Sequence, residues 1–393
     1  TINSGILSVT DGSSSYDLSV GGNWTNNGSF IPGTGRVTFY GSNYSDITTD
    51  ETFYDLKIDK TITSTTGVEI LENLTVNVLD DLSLSHGCLN MRDNSTLDIE
   101  DGIGFGLHGG LYTTNSTNVN IYIGGNWSNG TNFTSGGNGF SPGTSTVTFD
   151  GTSLNNLYSY NTYEVFHNLS INKSSGSLTL NKNIIVNNDL IVNSGDLILA
   201  DTGESQSHRF FGDVTVNLGS VKGSYNSSST VTLEGSSDQI LTNNGSDPWD
   251  LDFYELVINK SFSKDNGLKG QTASFSGAGF NAYGLTIEEG VAILGSGPAK
   301  IEQYTNINDG GTLSVGPGAT FEPGFISNIV GDVNVNSGGV FEAVGSPGNE
   351  AIVSVGNAFN IESGGTVGAE YAVFEDLTID GIHVKPGAMV NAT

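Results

Sequence analysis

Apolar and polar residues alternate in short runs along most of the chain. Ser177-Leu178-Thr179-Leu180, Ile184-Ile185-Val186, Leu190-Ile191-Val192 and Leu197-Ile198-Leu199 recur every six or seven residues, with Asn, Gly or Asp between them. Val68-Glu69-Ile70, Leu74-Thr75-Val76, Leu82-Ser83-Leu84 and Leu97-Asp98-Ile99 form an earlier series of the same texture. A period of two predicts half-buried strands, and no stretch holds the helical spacing over the length a helix needs. Strands this short, joined by turns this tight, cannot fold back as an open meander and still bury one continuous face. They suit a coil with three sides per turn, each side stacking in parallel on the turn below. The predicted fold is all-β, an elongated parallel β-helix or β-solenoid with variable surface loops. Asn181, Asn183, Asn187, Asn188 and Asn193 fall at its corners. Asparagine tolerates the left-handed backbone of a sharp corner, and stacked amides hydrogen-bond up a ladder.

A longer repeat overlies this pattern. Residues 123–174 open with Gly124-Gly125-Asn126-Trp127, continue through Pro142-Gly143-Thr144-Ser145-Thr146-Val147-Thr148-Phe149, and close with Phe166-His167-Asn168-Leu169-Ser170-Ile171-Asn172-Lys173. An upstream copy has Gly21-Gly22-Asn23-Trp24, Pro32-Gly33-Thr34-Gly35-Arg36-Val37-Thr38-Phe39 and Tyr54-Asp55-Leu56-Lys57-Ile58-Asp59-Lys60. A downstream copy keeps Gly212-Asp213-Val214, Ser229-Thr230-Val231-Thr232-Leu233 and Tyr254-Glu255-Leu256-Val257-Ile258-Asn259-Lys260. The second and third pieces stand 17 (Phe39 to Leu56), 20 (Phe149 to Leu169) and 23 (Leu233 to Leu256) residues apart, which reads as a fixed framework with elastic surface loops.

From about Gly267 the texture turns to Gly, Ala and Val, and glycine turns follow at 21 to 28 residues: Glu289-Gly290, then the Gly-Gly turns at Gly311, Gly339 and Gly365, then Pro386-Gly387. That spacing suits one full coil. Val373-Phe374-Glu375-Asp376-Leu377-Thr378-Ile379-Asp380 echoes the third piece of the repeat. The chain therefore divides softly into an Asn/Ser/Thr-rich region, 1–265, and a continuous set of Gly/Ala/Val-rich coils, 266–393. The whole series resembles the β-strand-repeat, parallel β-helix-like surface proteins of archaea and bacteria. The resemblance covers most of 20–260, more loosely the remainder, and implies a surface structural or adhesive role.

Composition narrows the function classes. Thirteen basic against 42 acidic residues give a net charge of -29. That argues against nucleic acid, whose phosphates call for a basic surface, and favours cations as counter-ions. The lone Cys88 excludes an internal disulfide and reads as a buried small hydrophobe rather than an intermolecular cross-link. No apolar run has membrane length, and the start at Thr1 reads as a processed product whose export signal has gone. Asn-x-Ser/Thr triplets support export. They occur at Asn23, Asn27, Asn43, Asn73, Asn94, Asn115, Asn126, Asn129, Asn132, Asn168, Asn172, Asn226, Asn244 and Asn259, then only at Asn391.

Parallel β-helices also carry polysaccharide lyases and hydrolases. A lyase needs a base beside bound calcium, and the arginines Arg36, Arg92 and Arg209 are scattered. A hydrolase needs two carboxylates across a cleft. Asp80-Asp81, Asp98/Glu100/Asp101, Asp247/Asp250/Asp252 and Glu288-Glu289 are candidates, but 42 acids produce such groups by chance. No catalytic residue is assigned and no enzyme activity is expected. His86, His108, His167, His208 and His383 have no sequence neighbours at metal-ligand spacing, and no cofactor is expected. Calcium, held weakly, is the one metal considered, at Asp247, Asp250 and Asp252 beside Trp249, although these match no known calcium loop. Trp24 and Trp127 occupy equivalent places, which favours packing over sugar stacking. Lys60, Lys173 and Lys260 end strands, where solvated ends are commoner than cross-links to Asn.

The expected function is mechanical: a subunit of a surface filament, sheath or surface layer whose partner is another copy of itself. The alternative is an adhesin binding surface glycans or another cell. Neither end of the sequence shows a polar cap, so Ile6 and Val9 of one copy are expected to meet Val384 and Val390 of the next, head to tail.

Overall fold

The computed structural model describes residues 1–61, 67–130, 139–223, 228–260, 271–323, 332–377 and 381–392. The chain forms two compact units, Thr1–Asn187 and Asn188–Thr393. Their division does not fall at the compositional change near 265, which lies outside the described residues.

The first unit is a parallel β-solenoid with three ladders. One runs Leu18, Val37, Leu56, Leu82, Ile103, Trp127, Leu157, Leu180, each residue paired with the next. A second runs Ser45, Val68, Leu89, Leu111, Phe140. The third runs Glu51, Val76, Leu97, Ile121, Val147, Leu169. Since the chain visits the ladders in rotation, each step along one ladder is one full coil. Alternation explains the core: in Thr75–Val78, Thr96–Ile99 and Asn120–Ile123 every second residue points inward and is fully buried.

The second unit repeats the arrangement. Its ladders run Leu190, Val214, Leu241, Phe275, Leu294, Val315, Ala343, Ala369, Ala392; Phe280, Ala299, Phe321, Val353, Phe374; and His208, Val231, Leu256, Leu285, Thr305, Val333, Phe359, Ile382. Gly290 pairs with Gly311, and Thr312, Val340, Thr366 and Met389 pair in series, so the Gly-Gly spacing is one coil as expected.

The long repeat has a simpler basis than loop elasticity. Val37 pairs with Leu56, Val147 with Leu169 and Val231 with Leu256. The second and third pieces thus stack directly on each other, and the variable spacer between them is the rest of one coil. In the first unit the two copies lie on different ladders. The repeat is a two-storey motif placed on whichever side the chain has reached.

Trp24 and Trp127 pack in the core. Trp127 is fully buried, with the rings of Phe105, Phe140 and Phe166 centred 5.0, 5.0 and 5.4 Å away. Cys88 is buried, and burial pushes its thiol pKa up, which leaves it inert and out of reach of another chain. Asparagine amides do stack: Asn118 donates to Asn94 (3.0 Å) and Asn94 to Asn73 (3.2 Å), Asn244 to Asn217 and Asn217 to Asn193 (2.9 Å each), Asn360 to Asn334 (3.0 Å) and Asn334 to Asn306 (3.1 Å). The left-handed corners differ from expectation. They fall at Asn73, Asn94, Asn115 and Asn118, with φ between 55 and 67°, and not at Asn181, Asn183, Asn187, Asn188 or Asn193. Two of them follow from turn type: Ser95 N donates to Arg92 O and Ser116 N to Thr113 O, closing four-residue turns whose third residue, Asn94 or Asn115, takes the positive φ of a type II or I′ turn.

Candidate functional site

The first unit carries an acidic cleft of about 510 Å³ along one corner of its coils, lined by Asp80, Asp98, Glu100, Asp101, Asp150 and Asn155 among others. Its floor follows from the Gly-Gly of the repeat. A Cβ on Gly124 would lie 2.0 Å from the Glu100 carbonyl oxygen, so only glycine lets one corner pass this close to the next. Asp98 points outward between the buried Leu97 and Ile99, and Glu100 and Asp150 each follow a strand that ends at this corner. Burial, then the neighbouring charges of Asp98 and Glu100, pushes the Asp150 carboxyl up; burial, then Glu100, does the same to Asp98. Beside them Asp80, Asp81 and Asp101 bring one oxygen each within 4.8 Å of the others, the one such group among the described residues. Burial first, and then the charges of Asp101, Asp80 and Asp55, raises Asp81. Such a group suits a hard divalent cation.

The calcium assignment at Asp247, Asp250 and Asp252 is corrected. Asp247 caps the short 3-10 helix Pro248–Asp250, Asp250 accepts from the backbone of Ser246 and Asp247 (3.2 Å each), and Asp252 turns inward to accept from Asn281 at 2.6 Å. The first two are used by the turn and the third by the core, so they do not converge. Burial pushes Asp252 up to about 7.

The three lysines that end the repeat are not solvated strand ends. Lys60, Lys173 and Lys260 are 1%, 0% and 0% exposed. Lys60 Nζ donates to Tyr40 O (3.2 Å), Asn43 O (3.1 Å) and Ser45 Oγ (2.6 Å); Lys173 Nζ donates to Asn155 Oδ1; Lys260 Nζ donates to Glu234 O (2.9 Å) and Gln239 Oε1 (2.5 Å). Burial lowers all three, Lys260 to about 8. The signal lay in the alternation: Leu56, Ile58 and Lys60 share one parity, as do Leu169, Ile171 and Lys173, and that parity faces inward.

Most sequon asparagines are exposed, namely Asn23, Asn27, Asn43, Asn73, Asn94, Asn115, Asn126, Asn172, Asn244 and Asn259, with Asn168 half-buried. Asn129 is a correction. It is buried, and its Nδ2 donates to both oxygens of the buried Glu164 (3.1 and 3.0 Å), so no glycan reaches it. Asn132 and Asn226 lie outside the described residues. The structure also pairs His86 with His108 one coil away, rings stacked at 5.8 Å, and places His86 Nδ1 2.9 Å from Asp59 Oδ1. Sequence spacing of 22 residues hid that pair.

The last coil of the second unit presents an open apolar face, a hollow of about 470 Å³ lined by Phe359, Ile361, Val367, Phe374, Val384 and Val390 among others. Val384 and Val390 are 53% and 50% exposed, whereas the residues below them, Ile361 and Val367, are 1% and 5% exposed. In the first unit Ile6 is exposed in Ile6–Ser8, which pairs with Ser29–Ile31. Val9 is corrected: it is buried and its N–H already donates to Ile31 O at 3.0 Å.

Comparison with protein-family models, with curated proteins and with solved structures finds no match. Among the described residues no helix is long and apolar enough to cross a membrane.

Proposed function

We propose that the chain is a structural subunit of an extracellular assembly, a surface filament, sheath or surface layer, that grows by stacking the coils of one copy on those of the next. What supports this reading is the stacked parallel coil itself, a repeat architecture whose successive coils cover each other's apolar positions and whose corners carry exposed sequons. Where a coil is covered its ladder positions are buried, as at Ile361 and Val367, and a coil of another copy laid on Val384 and Val390 would bury them in the same way. The exposed strand Ile6–Ser8 of a second copy, with Ile6 facing out, supplies such a surface. Exposed sequons in the first unit support display outside the cell, where glycans would attach.

Val384→Asp with Val390→Asp places two charges on the face and replaces only residues that are about half exposed. The native chain is expected to form filaments or sheets by electron microscopy and to sediment as polymer, and the double variant as monomer. A native chain that stays monomeric at high concentration, or a double variant that assembles normally, sinks the reading. An adhesin then takes its place, favoured by the exposed apolar side chains of Leu154, Tyr158 and Tyr160, at 75%, 48% and 79%, of which Leu154 sits between the cleft-lining Ser153 and Asn155. Saturable binding to a glycan array would be its readout.

A further inference from the structure

Of the three buried lysines, Lys173 alone meets an asparagine amide. Its Nζ lies against Asn155 Oδ1, both side chains are buried, and among the described residues no main-chain carbonyl accepts from the amine as one does for Lys60 and Lys260. Asp150 stands on the same rim of the cleft as Asn155, and its charge is the one that acts on the Lys173 ammonium. We propose that Lys173 and Asn155 become joined by an intramolecular amide bond between the lysine Nζ and the asparagine Cγ, tying strand Asn155–Ser159 to strand Asn168–Leu180.

The step balances within the chain. Burial lowers the Lys173 pKa, which favours the neutral amine, and its lone pair attacks the Asn155 Cγ. A C–N bond forms as the bond from Cγ to Nδ2 breaks, and Nδ2 leaves as ammonia with the electron pair. Asp150, itself raised by burial and by Asp98 and Glu100, accepts the proton from Nζ and returns it to the leaving nitrogen. No oxidant or cofactor is consumed. The cleft that Asn155 lines gives ammonia a path out. The other two copies of the repeat serve as controls. Lys60 meets the hydroxyl of Ser45, which offers no carbonyl carbon to attack. Lys260 meets Gln239, whose Nε2 is held by the carbonyls of Phe210 and Gly212.

The test is tandem mass spectrometry on peptides from the purified, denatured full chain. A branched peptide linking residues 155 and 173, lighter by one ammonia than its two parts, is expected, with the peptides of Lys60 linear. Lys173→Met and Asn155→Ala should each abolish the branch, and Asp150→Asn should slow or abolish it in a chain that keeps its β circular dichroism. Linear native peptides with Lys173 and Asn155 intact would overturn the bond. An Asp150→Asn chain that cross-links as fully and as fast as the native one would overturn the role of Asp150.

Discussion

At the scale of single residues, the interior of this solenoid holds more polar chemistry than its composition suggests. Glu164 is buried against Asn129, and burial pushes its carboxyl from the ordinary 4.5 up to about 7. A folded pKa above the unfolded one means the folded state binds the extra proton. The stability this contributes is complete below about 4.5 and is lost as pH rises through about 7. A shift of this size corresponds to about 3 kcal/mol. Asp252 adds a loss in the same direction, while His208, buried and lowered to about 4, loses stability as pH falls from 6.5 towards 4. Glu164→Gln keeps an amide partner for Asn129 and cannot ionise. Melting curves should therefore show the variant gaining on the native chain between pH 5 and pH 8, by roughly 2–3 kcal/mol. Parallel pH profiles for the two proteins would contradict this. Nothing in the local sequence around Glu164 marks it as buried except its parity with Phe166, because the residue that receives it, Asn129, is a full coil away.

At the scale of the strand and its corner, stacking replaces the usual helix and hairpin signals. Each corner must repeat its backbone geometry from coil to coil, and a side chain that bonds its own counterpart above and below fixes that register. Asn94 does both, at φ 57° with amide bonds to Asn73 and Asn118. Asn94→Ala should cost about 2 kcal/mol, combining left-handed strain with lost amide contacts. Asn94→Gly should recover about half of that, since it relieves the backbone and leaves the amides missing. Urea melts of the two variants check the division; equal losses would mean the backbone term is absent. The alternation of apolar residues made the strands and their inward faces legible. Which asparagine turns left-handed was not, because that depends on the type of turn each corner closes, as at Arg92–Ser95.

At the scale of the whole molecule, charge is the dominant feature. A net -29 on 393 residues repels itself along every stacked corner, and the cleft from Asp80 to Asp150 concentrates that repulsion. Calcium should raise the melting temperature, and chelator should lower it modestly. Sodium chloride at equal ionic strength should do less, because a divalent ion neutralises two carboxylates at once. Most of the calcium effect should survive Asp81→Asn if binding is spread over the surface. A melting curve indifferent to calcium and chelator would remove cations from the account.

The sequence by itself determined the architecture: short alternating strands with Gly- and Asn-marked corners leave a three-sided parallel coil as the arrangement that buries one face of every strand. It also determined the coil length, through the Gly-Gly spacing. Only the tertiary structure decided which residues meet, because in a stacked coil neighbours across a ladder lie between 19 residues apart, as Leu18 and Val37, and 34, as Leu241 and Phe275, and that distance changes with each loop. Hence Asp247, Asp250 and Asp252, adjacent in sequence, part company around a capped turn. Asp80, Asp81 and Asp101 come together across one coil, and so do Lys173 and Asn155. Val9, read as a free edge, is already bonded to Ile31. Parity along a strand is local and can be read directly; register between coils is a sum over intervening loops, and only the folded chain performs that sum.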